Sequence, residues 1–275
     1  MSRWVRIFRA AGARFSAEGS AFTAQAIAYT ALFALVPLTL VSIAVLAFIF
    51  GTQEGIDRAT HAIQLYAPAL HDLLSTNLDA IVRYRGISGA LGFIGLVWGG
   101  KNLFQALTYG LNRSLGVPHA RHFVWDVVIA LTLVPLSGIV ITVATVLPIV
   151  ITLVVQFAGL ESLRWAPQIA SYAGSLVLVF IVSALLYGYL PNRRPTWSAV
   201  LPGAAVAAVG YSVAQIAYAV YTTYAASAFR VYGALSALFA LLLWLDVIGV
   251  VFLFGAHVSA ACERDHEERT LPLAS

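Results

Sequence analysis

The chain has 275 residues, of which 60% are hydrophobic and 10% charged, and its formal net charge is +4. Soluble domains carry roughly a quarter charged residues, and a water-soluble fold of this length could not hide so much apolar surface. The small, scattered charge gives no basic patch for nucleic acid, and the single cysteine, Cys262, excludes an intrachain disulfide.

Residues 1–23 form an amphipathic N-terminal helix. Trp4, Ile7, Phe8, Ala11 and Phe15 share one face, and Arg3, Arg6, Arg9 and Arg14 lie on the other. Such a helix suits the surface of an anionic leaflet. The apolar run that follows is far longer than the core of a cleavable signal peptide.

Six apolar stretches then approach or exceed the roughly 20 residues needed to cross a bilayer. They fall near 24–51, 88–110, 125–157, 168–190, 199–224 and 233–260. Helices are the expected spanning form, because backbone groups in lipid must pair internally. Between the first two, residues 52–87 mix charges with apolar residues spaced by three and four. That pattern predicts short amphipathic helices forming an extracytoplasmic cap.

Residues 24–260 thus make one transmembrane domain, and 261–275 a solvated cytoplasmic tail. With both termini inside, ten arginines lie on the cytoplasmic side against five outside, as the positive-inside rule requires. The fold class is all-α: a polytopic membrane protein with six transmembrane helices, N-in and C-in.

Short stretches recur on helices that run the same way: Leu35-Val36-Pro37 with Leu133-Val134-Pro135, and Tyr109-Gly110-Leu111-Asn112-Arg113 with Tyr187-Gly188-Tyr189-Leu190-Pro191-Asn192-Arg193. They fit three tandem helical hairpins, or chance in an alphabet dominated by Leu, Val, Ala and Gly.

Ionisable residues at membrane depth are the most informative, because an isolated charge there is costly. Lys101 lies in the second span and Asp246 in the sixth, at matching depth. The two are expected to pair, either as an interhelical clamp or as part of a polar site in a solvated cavity. Asn102 and Gln105 extend the polar face of Lys101, and Gln215 and Tyr211 form a second polar stripe on the fifth span. His257 is expected to be a hydrogen-bonded interface residue near the inner end of the last span. Arg113, Arg121, Arg193 and Arg194 stand on the cytoplasmic side, where they can gather anionic headgroups.

Signals for an enzyme are poor. His119 and His122 form an i, i+3 pair with no carboxylate or cysteine to complete a metal site. Gly99-Gly100-Lys101 lacks the other elements of a phosphate-binding loop. No catalytic residue, cofactor or metal is expected.

The chain resembles the YihY/BrkB family of bacterial inner-membrane proteins, once labelled ribonuclease BN. The resemblance rests on Ala28-Tyr29-Thr30-Ala31-Leu32 with Leu35-Val36-Pro37-Leu38, and on Trp98 through Leu107 ending in Leu111-Asn112-Arg113. It continues in Leu190-Pro191-Asn192-Arg193-Arg194-Pro195 with Trp197, Leu201-Pro202-Gly203-Ala204, Tyr232-Gly233-Ala234-Leu235, Leu243-Trp244 and Gly255-Ala256. It implies six spans, an inner-membrane location and a role in transport or envelope lipid handling. Two positions depart from the family: His257 stands where the family usually has glutamate, and Asp246 where it commonly has an apolar or aromatic residue.

The expected function is therefore transport or translocation of a lipid, another amphiphile or an anionic solute across the inner membrane. Membrane lipids are the expected partners. The alternatives are a structural or assembly protein whose buried charges only pin helices and, further off, a membrane-embedded hydrolase or nuclease. Small-residue stretches such as Gly203-Ala204-Ala205 allow close helix packing within one chain or in a homo-oligomer.

Overall fold

A computed structural model describes residues 2–50, 85–117, 166–232 and 235–270. Among these residues there are six helices and no strand: α1 (Arg3–Ala17), α2 (Ser20–Phe50), α3 (Arg85–Leu115), α4 (Ala166–Tyr189), α5 (Trp197–Tyr232) and α6 (Leu235–Thr270). The expected third span at 125–157 and nearly all of the cap at 52–87 lie outside the described residues.

Three stretches are long and apolar enough to cross a membrane: Tyr172–Tyr189 of α4, Trp197–Tyr224 of α5 and Leu238–Glu268 of α6. They coincide with the last three expected spans. Residues 24–50 of the first and all of the second fall within α2 and α3, each a continuous helix of 31 residues, or about 46 Å at 1.5 Å per residue. Pro37 and Pro202 are accommodated inside α2 and α5.

Two local signals set the helix ends. Gly19, at φ +62°, makes the left-handed turn between α1 and α2, where Glu18 N donates to Arg14 O and Gly19 N to Ser16 O. Gly116, at φ +69°, closes α3. There Val117 N donates to Asn112 O at 2.9 Å and Gly116 N to Arg113 O at 3.0 Å, the paired bonds of a glycine-terminated helix.

The chain sorts into two compact units. Unit 1 comprises Met1–Phe22, Leu107–Ile216 and Val250–Ser275, and unit 2 comprises Thr23–Ala106 and Ala217–Gly249.

In unit 1, Ile7 and Ala11 of α1 are buried with Ala199 of α5 and Val258, Ala261 and Cys262 of α6, and Val206 and Phe254 pack against them. Part of the stripe expected to face a leaflet is therefore occupied by protein, while Trp4 and Phe8 remain exposed. α5 and α6 approach backbone to backbone: a Cβ on Gly203 would lie 2.5 Å from Gly255 O, and one on Gly255 would lie 2.6 Å from the Tyr187 hydroxyl. Helices without a hydrophobic drive to associate in lipid rely on such close van der Waals contact.

α6 continues to Thr270, past the boundary expected at residue 260. The tail acids hold it in place. Glu263 is buried, Asp265 accepts from Arg3 Nε at 2.9 Å, and Glu267 pairs with Arg193.

In unit 2, α3 meets α2 through glycines four residues apart. A Cβ on Gly95 would lie 3.0 Å from Pro37, and one on Gly99 would lie 3.0 Å from Ala34 Cα. Gly249 of α6 comes equally close to Ala24. Tyr218 of α5 donates to Ala240 O at 2.9 Å, and its ring lies 4.8 Å from that of Trp244.

Candidate functional site

Unit 1 carries a network of polar side chains where the ends of its helices meet. Ser20, the first residue of α2, has its Oγ 2.7 Å from His257 Nε2. The His257 ring is fully buried, and Phe15 meets it edge-on at 5.6 Å. Glu18 Oε2 lies 4.0 Å from the same nitrogen. Asn192 N donates to Asn112 Oδ1 at 2.8 Å, so the loop after α4 is tied to the end of α3. Thr196 donates to Glu263 Oε2 from both its backbone N and its Oγ1, at 3.0 and 2.6 Å. Tyr187 Oη donates to Phe252 O at 2.5 Å.

Around Glu18 stand three arginines. Burial raises the Glu18 carboxyl above the ordinary value of 4.5, and the charges of Arg14, Arg113 and Arg264 act against that shift. Among the described residues, Glu18 Oε2, Arg264 Nη2 and His257 Nδ1 are buried without a hydrogen-bond partner. Ser20, His257 and Glu18 do not make a nucleophilic triad. That chemistry needs the acid on the far ring nitrogen, orienting the base; here the acid lies beside the nitrogen that meets Ser20, and Nδ1 is orphaned.

Unit 2 carries an open pocket of about 400 Å³, lined by Tyr29, Thr30, Phe33, Pro37, Gly95, Trp98, Gly99 and Asn102. Its walls are largely aromatic, with Tyr29 and Phe33 4.7 Å apart and Trp98 72% exposed. Thr30 Oγ1 returns its proton to the carbonyls of α2.

The residues singled out in the sequence divide between the units. Lys101 and Gln105 are exposed on α3, and Asn102 lines the pocket. Asp246 Oδ1 is buried with no hydrogen-bond partner among the described residues. In unit 1, Tyr211 is half-buried and Gln215 is exposed. His257 Nε2 meets Ser20 Oγ.

Arg113 Nη1 donates to Tyr109 Oη at 2.9 Å, Arg193 pairs with Glu267, and Arg194 is exposed. Arg121, His119 and His122 lie outside the described residues. Among the described residues, no three His, Cys, Asp or Glu side chains are placed to hold a metal ion. Ser20, Glu18, Thr196 and Glu263 were not anticipated as partners. The one local hint was the Glu18-Gly19-Ser20 break between two helical patterns.

Long apolar helices, a charged cluster at their ends and an aromatic pocket define an α-helical membrane protein. The chain matches the family described as Virulence factor BrkB over residues 11–274. It belongs to the BrkB family. It is 24% identical to a putative ribonuclease-like protein, YfkH, of Bacillus subtilis, over 78% of this chain and 80% of that one. It is 25% identical to a UPF0761 membrane protein of Mannheimia succiniciproducens, over 82% and 79%. It is 29% identical to a UPF0761 membrane protein of Vibrio campbellii, over 86% and 75%. No solved structure matches the chain.

Proposed function

We propose that the protein is a multi-pass protein of the bacterial inner membrane that binds an anionic lipid or similar amphiphile and moves it between leaflets. The observation that carries this reading is the pocket between α2 and α3. Aromatic walls suit an acyl chain, while Asn102 offers hydrogen bonds within the same cavity and Thr30 Oγ1, whose proton goes to α2 carbonyls, can only accept one. Lys101, the residue before Asn102, is exposed on the same helix and supplies a cation for the headgroup. Exposed Arg194, with Arg113, Arg121 and Arg193, collects headgroups on the cytoplasmic side.

The test is leaflet exchange of fluorescent phosphatidylglycerol in proteoliposomes. The reading expects exchange above empty vesicles, slowed about tenfold by Lys101→Met, the loss of roughly one charge-assisted contact. Exchange that is absent, or unchanged by Lys101→Met, contradicts it.

A scaffolding role is the second reading. The contacts of unit 1 favour it, since Tyr187, Asn112, Thr196 and Ser20 all tie one helix or loop to another.

A further inference from the structure

Unit 1 also holds an open groove of about 520 Å³ between α1, α5 and α6. Phe8 and Phe15 of α1, Ala205 and Val209 of α5, and Val251 and Phe254 of α6 line it, and every residue that lines it is apolar. The Phe254 ring lies 6.4 Å from that of Phe8 and 6.1 Å from that of Phe15, so three rings gather along one side. Ala205 and Val209 are exposed, and their small side chains leave the α5 side open. The neighbouring face of α1 is fixed, because Ile7 and Ala11 are buried with Ala199, Val258, Ala261 and Cys262.

These walls select the occupant. A polar group brought here would find no hydrogen-bond partner on them, and burying it unpaired is costly. That disfavours a headgroup or an extended peptide. The α5 and α6 walls belong to Trp197–Tyr224 and Leu238–Glu268, both long and apolar enough to cross a membrane, so in a bilayer the groove opens onto hydrocarbon. Its volume falls among the roughly 300–1,000 Å³ of sites that hold ligands. An acyl chain meets all of these terms.

Charge on α1 adds a headgroup preference. Arg3 and Arg6 are engaged with Asp265. Arg9 is exposed and forms no ion pair among the described residues. It follows Phe8, so its Cα stands about 3.8 Å from that of a groove wall. A long cationic side chain there reaches the headgroup layer.

We propose that this groove holds an acyl chain of an anionic phospholipid, lodged between α1 and the α5–α6 pair, with its headgroup at Arg9. The lipid is a resident one, and its binding does not depend on leaflet exchange.

The experiment uses the full chain, purified in detergent micelles that contain equal amounts of phosphatidylglycerol and phosphatidylcholine as probes. Benzoylphenylalanine replaces Val209 or, in a parallel protein, Val213, which is exposed on the same helix but does not line the groove. After irradiation, adducts are identified by mass spectrometry. Phospholipid adducts at Val209 should exceed those at Val213 about tenfold, the worth of roughly two buried methylene groups, with phosphatidylglycerol the commoner. Ala205→Trp fills the groove from an exposed position and should cut the Val209 adducts by a similar factor. Arg9→Gln should bring the two lipids to equal yield.

Equal phospholipid labelling at Val209 and Val213 overturns the proposal, as do Val209 adducts untouched by Ala205→Trp. A phosphatidylglycerol preference that is absent, or that survives Arg9→Gln, also overturns it. So do cross-links from Val209 to a second copy of the chain, because the groove is then a protein interface. Should Ala205→Trp not fold, the comparison of Val209 with Val213 decides. Lys101→Met tests the unit 2 pocket and should leave the Val209 adducts unchanged, so either reading can fail without the other.

Discussion

In unit 1 the polar side chains mostly close on one another. Ser20 meets His257, Thr196 meets Glu263, Asn192 N meets Asn112, and Tyr187 reaches the α6 backbone. In unit 2 Thr30 and Asn102 line an open cavity among aromatic rings, with Lys101 exposed beside it. The same lipid-adapted alphabet therefore does two jobs. Where hydrogen bonds saturate locally, they fix helix positions; the Asn102 side chain, which faces the cavity, remains available to another molecule. Changes in unit 1 should lower stability, and changes at the unit 2 pocket should lower ligand handling while leaving stability nearly intact.

The largest expected effect is at the α5–α6 contact. Gly255→Val drives a side chain into Gly203 O and the Tyr187 hydroxyl. It should cost about 3 kcal/mol or more, as overpacking at an immovable backbone does. Thermal unfolding in detergent would show it, and a wild-type midpoint would break the comparison from the unit 1 side.

Ser20→Ala comes next. It strips a buried histidine of its partner and should cost about 1–3 kcal/mol, read from the same unfolding curve.

Glu18 supplies a pH signature. Because burial raises its folded value above 4.5, the native state binds a proton in the window where the unfolded chain has already lost it. Stability therefore falls as pH rises through that window and is regained as pH falls toward 4.5. Glu18→Gln should flatten this dependence in unfolding midpoints measured across mildly acidic pH.

The smallest effect on stability belongs to unit 2. Trp98 is largely exposed, so Trp98→Ala should shift stability by no more than about 0.5 kcal/mol while slowing leaflet exchange of phosphatidylglycerol. A large loss of stability with unchanged exchange would reverse the roles assigned to the two units.

Much of the helical layout was legible in the sequence, because apolar runs longer than a bilayer needs admit few other structures. The last three expected spans coincide with helices long and apolar enough to cross a membrane. The helical extension to Thr270 was not legible. A run rich in Glu and Asp reads as solvated until its partners are known, and Arg3, Thr196 and Arg193 are remote in sequence. The burial of Ile7 and Ala11 against α5 and α6 was hidden for a related reason: an amphipathic stripe looks the same whether protein or lipid covers it.

At the candidate site, matching depth on two spans was all the sequence offered for Lys101 and Asp246, because periodicity says nothing of which way a long side chain leans. The partner of His257 was not readable, since Ser20 lies more than 200 positions away. Glu18 offered no signal beyond the turn it occupies.

The most direct measurement is photo-crosslinking from the unit 2 pocket in native membranes. Benzoylphenylalanine replaces Phe33, which lines the pocket, and in a parallel protein replaces Phe252, which contacts Tyr187 in unit 1. Adducts are identified by mass spectrometry. The account predicts lipid adducts at Phe33 in clear excess over Phe252, with anionic headgroups enriched relative to the surrounding membrane. Equal labelling at the two positions, or adducts that merely mirror bulk lipid composition, would contradict it.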